Sequence, residues 1–82
     1  MKVLYFAWLR ERIGESEEVV DASGLTVVSD LVARLKTQSE GHEMAFSDLA
    51  AVRVAVDQKV GDMSAPLAGA KEVAFFPPMT GG

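Results

Sequence analysis

The chain contains no cysteine. That absence removes disulfides, thiolate metal sites, iron–sulfur clusters and thiol nucleophiles together. Basic charge is also scarce: 8 lysines and arginines against 12 acidic residues give a formal charge of −4 and a pI near 4.8. The phosphate-neutralising stripe of a nucleic-acid binder is not written here, so no nucleic-acid partner is expected. No apolar run approaches the roughly 20 residues that span a bilayer, so no membrane segment is expected. Charge returns at Arg10, Glu11 and Arg12 soon after the apolar start, and no small-residue cleavage site follows. A secretory signal is therefore not expected, and the location read from the sequence is cytoplasmic. His42 is the only histidine. It lies in a polar stretch with no cysteine to help it bind metal, so it reads as a surface-loop residue and no metal site is expected. Gly14, Gly24 and Gly41 are isolated and form no phosphate cradle. Glu15, Glu17 and Glu18 read as a solvated acidic face. No nucleophile stands beside a general base at a recognisable spacing, so the chain by itself is not expected to be an enzyme.

What is present is enough apolar material for a core: 49% of the 82 residues, which suits one domain spanning 1–82. Lys2 to Leu9, with Val3, Tyr5, Phe6 and Trp8, reads as a strand. Arg10 to Gly14 reads as a loop or short helical turn, and Glu17 to Ala22 as a second strand closing a hairpin. Thr26 to Thr37 carries Val28, Leu31, Val32 and Leu35 at i, i+3, i+4 and i+7, one apolar stripe of a helix. Thr26 is placed to cap it through its hydroxyl, with Asp30 in the first turn. Gln38 to Phe46 reads as mostly loop, pinned back by Phe46 and Leu49. A strand follows, from Leu49 or Arg53 to Val56, with alternating Val52, Val54 and Val56. Asp57-Gln58 is a turn, and Lys59 to Asp62 a return strand. Ala65 to Gly69 turns again. Glu72 to Phe76 is a last strand, stopped by Pro77-Pro78, because proline donates no ladder hydrogen bond. The predicted class is α+β: a mixed sheet of about five strands around one main helix, the β-grasp or ubiquitin-like arrangement.

The carboxyl end stands apart. From Val73 to Gly82 there is no ionisable side chain. Pro77-Pro78 fixes two φ angles and favours an extended stem for Met79, Thr80, Gly81 and Gly82. At about 3.3 Å per residue, residues 77–82 form a flexible tail that could project about 20 Å from the sheet. Glycine at the last two positions lets a narrow channel close on bare backbone. With no cysteine present, sulfur carried by this chain could only be carried at the Gly82 carboxylate.

The ending Glu72-Val73-Ala74-Phe75-Phe76-Pro77-Pro78-Met79-Thr80-Gly81-Gly82 resembles the tail of the small subunits of molybdopterin synthases. Tyr5-Phe6-Ala7 with Arg10-Glu11, Val54-Ala55-Val56-Asp57-Gln58 and Pro66-Leu67 ahead of Gly69 extend the resemblance over the whole chain. Asp57 stands where that family commonly has asparagine, and Met79 where it commonly has valine. The resemblance implies a sulfur carrier of molybdenum cofactor biosynthesis. Gly82 would be adenylated by an E1-like enzyme that uses ATP, converted to a thiocarboxylate, and used as sulfur donor to cyclic pyranopterin monophosphate. It implies no cofactor bound by the carrier itself, and a heterotetramer with the large subunit. Pro77, Pro78, Met79, Thr80 and Gly81 would thread into that partner. Alternation along the first and last strands makes both sheet faces apolar, while one helix covers only one. The resemblance selects Phe6, Val60 and Phe76 as the patch that docks partners. A ubiquitin-like modifier joined to lysines through Gly82, or a sulfur carrier for another pathway, shares the same ending.

Overall fold

The computed structural model describes residues 1–78. Five strands form one sheet: β1 (Lys2–Tyr5), β2 (Glu17–Val19), β3 (Arg53–Val56), β4 (Lys59–Gly61) and β5 (Glu72–Phe76), in the order β2-β1-β5-β3-β4. The first and last strands lie side by side and parallel at its centre, in register from Lys2↔Glu72 to Tyr5↔Phe75. The other three pairings are antiparallel. The chain therefore leaves the sheet from its middle, with a strand bonded on each side of the exit.

One face of this sheet is the core. Val3, Tyr5, Val54, Val73 and Phe75 are buried against α2 (Val28–Lys36), whose Val28, Leu31, Val32 and Leu35 are buried as the stripe requires. Each such side chain contributes roughly 1.5–3 kcal/mol by leaving water. The helix starts at Val28 and not Thr26, and its cap differs from the sequence reading. The Asp30 carboxylate, not the Thr26 hydroxyl, meets the free N–H groups, accepting from Thr26 at 3.0 Å and Val27 at 3.2 Å. These bonds hold the Asp30 carboxyl below the usual range.

Two further helices replace predicted strand and loop. The first strand ends at Tyr5, and α1 (Trp8–Ile13) takes up the remainder, closed by Gly14 in left-handed geometry with its N–H on the Arg10 carbonyl. Gln38 to Phe46 is not mostly loop, because α3 (Glu40–Ala45) forms behind Ser39, whose hydroxyl accepts the His42 backbone N–H at 3.1 Å. Gly41 is a packing residue there: a Cβ would run into the Arg12 carbonyl oxygen of α1. Phe46 anchors this region with no exposure, whereas Leu49, in a 3-10 turn (Leu49–Ala51), remains 39% exposed and pins nothing. β2 stops at Val19, short of Ala22, although Val20 still bonds Met1 in both directions. β4 stops at Gly61, one residue before the predicted Asp62.

His42 is the largest correction. It is buried and not a surface-loop residue. Its Nε2 lies 2.6 Å from Glu18 Oε2, and its Nδ1 lies 2.7 Å from Ser39 Oγ. The Tyr5 hydroxyl donates to the same Glu18 oxygen at 2.8 Å. Glu18 is thus no part of a solvated face: it is half-buried and gathers β1, β2 and α3 around one carboxylate. Burial first, and the Glu18 acceptor and charge second, push the Tyr5 phenol well above its ordinary range.

Candidate functional site

The site is built around the point where β5 runs out. Phe75 is locked inward, stacking near Tyr5 and meeting Phe46 edge-on with ring centroids 4.9 Å apart. Phe76 must then face the opposite side, because successive strand residues alternate. It pairs in register with Arg53 on β3, while on the β1 side the Phe6 N–H donates to the Phe75 carbonyl at 3.1 Å. Pro77 follows and cannot extend the ladder. Pro77 and Pro78 are half-buried. Met79, Thr80, Gly81 and Gly82, on which the predicted channel-threading and sulfur chemistry fall, lie outside the described residues, as does the predicted mobility of the tail.

The face turned away from α2 carries an apolar row from β1 to β4, flanked by Glu17 on the β2 edge and by Arg53 opposite Phe76. Leu4, Ala74, Ala55 and Val60 form one row across β1, β5, β3 and β4, each the register partner of the next. Phe6 and Phe76 stand one step nearer the tail. Phe6 is 47% exposed, Val60 75% exposed, and Phe76 half-buried. The three residues of the predicted docking patch therefore share a face. Phe6 and Phe76 adjoin each other at the tail exit, whereas Val60 lies two strands from β5, about 10 Å away at ordinary strand spacing. On α1 the Arg12 guanidinium sits 4.5 Å over the Trp8 ring.

Two features of this region were missed by the sequence reading. One is the turn that joins β1 to α1, where Ala7 adopts φ 54° and ψ −130°. A glycine would have signalled it; an alanine does not. The other is the Tyr5–Glu18–His42–Ser39 cluster beneath Phe75. Ser39 three residues ahead of His42, a helix-capping spacing, was the available hint. Among the described residues, no group of three or more His, Cys, Asp or Glu side chains could hold a metal ion. None of their helices is long and apolar enough to cross a membrane.

A sheet with its last strand central, one apolar face uncovered and a neutral glycine-ended segment beyond it has counterparts among known proteins. The ThiS family model matches residues 3–82. This chain belongs to the ThiS family. A molybdopterin synthase sulfur carrier subunit of Escherichia coli (strain K12) is 38% identical over 82 residues, covering all of this chain and 99% of that one. Among solved structures, SAMP1 from Haloferax volcanii superimposes with a TM-score of 0.73 at 25% identity, covering 100% of this chain and 98% of the other. A putative molybdopterin converting factor, subunit 1, from Pyrococcus furiosus gives 0.71 at 28% identity, with 95% of each chain covered. The ThiS-family chain thus has the β-grasp fold expected from its sequence, with three helices where one was expected.

Proposed function

We propose that this chain is the sulfur-carrier small subunit of a molybdopterin synthase, one β-grasp domain with residues 77–82 as its delivery arm. The observation that carries the reading is the 38% identity to the Escherichia coli carrier subunit over the whole chain. The physical fit supports it: a neutral stem bounded by two prolines leaves the centre of the sheet beside an uncovered apolar face.

A carboxylate is a poor electrophile, so an E1-like partner spends ATP to join the Gly82 carboxylate to AMP, releasing pyrophosphate. A sulfur nucleophile then displaces AMP and leaves a terminal thiocarboxylate. The loaded tail enters the large subunit, and its sulfur attacks cyclic pyranopterin monophosphate to form a thioester. Water hydrolyses that thioester, leaving the sulfur on the pterin and returning the Gly82 carboxylate. A dithiolene needs two sulfurs, so two loaded carriers act for each product. The carrier supplies no acid, base or metal to these steps, and its part is to hold and present one atom. Phe6, Phe76 and Val60 form the docking surface, and carrier and large subunit assemble as a heterotetramer in the cytoplasm.

Intact-mass measurement of the chain isolated from its host tests this. Replacing one oxygen by sulfur adds about 16 Da at the carboxyl terminus. That gain is the expected result. Its absence, together with diglycine-branched lysines on other proteins, would instead make the chain a protein modifier.

A further inference from the structure

Six described residues have positive φ: Gly14, Gly24 and Gly69, and the non-glycines Ala7, Asp57 and Gln58. At Gly14, Gly24 and Gly69, glycine removes the steric cost. Asp57 and Gln58 share the β3–β4 hairpin turn, and there the Asp57 carboxylate accepts the backbone N–H groups of Lys71 at 2.9 Å and Glu72 at 3.0 Å. Ala7 has neither relief. Leu9 N–H bonds the Phe6 carbonyl at 3.2 Å, so Phe6 to Leu9 is a β-turn whose first central residue has the backbone of a type II′ turn, a position that favours glycine. The Ala7 methyl gives nothing back to the fold: the residue is exposed and is not among those packed on the core. A strained backbone carrying a side chain that the free protein does not use points to use outside the free protein.

The position agrees. Ala7 follows the exposed Phe6, whose N–H is bonded to the Phe75 carbonyl at the end of β5, so the exposed Ala7 is the next residue along the chain from the patch where the tail leaves. We infer that the Ala7 methyl is a contact for the large subunit that receives the tail, extending the Phe6–Phe76 patch around the β1–α1 turn. The inference rests on the docking role given to that patch above. In the partner-bound state the methyl is covered, and that covering offsets the strain which the free chain bears alone.

Ala7→Gly removes the methyl and keeps the turn, since glycine prefers it. Two measurements on the full chain decide the matter: thermal unfolding, and affinity for the purified large subunit. The variant should melt about 5 °C higher, because strain is relieved without loss of packing. It should bind about fourfold more weakly, the loss expected for one buried methyl, chiefly through a faster off-rate. A higher melting point with unchanged affinity overturns the inference, and so does a melting point that fails to rise. Phe6→Ser measured alongside separates the two readings. If it weakens binding while Ala7→Gly does not, only the methyl contact is wrong. If neither weakens binding, the docking face itself is wrong.

Discussion

Both faces of the sheet carry a row of apolar side chains, yet they behave as different materials. On the inner face Val3, Tyr5, Val54, Val73 and Phe75 are all at or below 1% exposure under α2. On the outer face Phe6 keeps nearly half and Val60 three quarters of its surface in water, and Val19 on the β2 edge is 82% exposed. Neighbours in sequence, Phe75 and Phe76, fall on opposite sides of this division. The inner face holds the fold together, and the outer face carries the proposed docking surface. Exposed apolar side chains of this kind add little to the stability of the free chain, which is why they are the residues proposed to dock a partner.

Exchanging the two phenylalanines' roles is the strongest way to break this comparison. Phe75→Ala should cost about 3–5 kcal/mol in denaturant unfolding, because the ring lies between Tyr5 and Phe46 and leaves a cavity. Phe76→Ser should cost the fold less than about 1 kcal/mol but weaken binding to the large subunit by about 2 kcal/mol, thirtyfold, as a central aromatic contact does. Equal stability losses for the two would erase the distinction between faces.

The polar cluster beneath the inner face sharpens the same comparison with a smaller effect. His42→Ala should destabilise by about 1–3 kcal/mol, since Glu18 loses one of its two side-chain donors inside the fold. Partner affinity should remain that of the parent, because His42 lies on the inner side. Urea unfolding and a binding titration on the same variant check both halves.

Alkaline pH gives the most graded effect. Burial, then Glu18, raises the Tyr5 phenol in the folded chain, so the fold favours the neutral form. The contribution is complete below the ordinary phenol value of about 10 and is lost as pH rises beyond it. Tyr5→Phe should flatten that alkaline loss in a series of melting curves. On the acid side the signs reverse. Asp21, Asp30 and Asp62 are held below the carboxylate range, first by backbone donors for Asp21 and Asp30 and by the Ser64 hydroxyl for Asp62. Their contribution is present above about pH 4 and fades as pH falls.

The strands and α2 were readable because period-2 and period-3.6 patterns run long enough there to be distinguished. The six-residue helices α1 and α3 offer fewer than two turns each, too short for a period to emerge. Trp8 and Leu9 looked like strand because β-formers precede them, and only the Ala7 turn redirects them. Their helix is stabilised by contact with α3 across Gly41, a long-range fact that no local window contains. The same holds for His42, whose polar neighbours suggested water until Glu18, 24 residues away, came to face it. Alternation told that both faces are apolar; which one stays open depends on where α2 lies. The chemistry proposed for the glycine-ended tail was legible because it rests on residue types at the end of the sequence and on no long-range contact.

That chain end carries the central claim, and removing Gly82 tests it most directly. The variant is mixed with the adenylating enzyme, ATP, a sulfur source and the large subunit, and molybdopterin is quantified beside a melting curve. The account predicts an unchanged melting temperature, since the described core runs from Val3 to Phe75, and no product, since the arm is shortened by about 3.3 Å and ends one residue early. Product formed at the parent rate would contradict it.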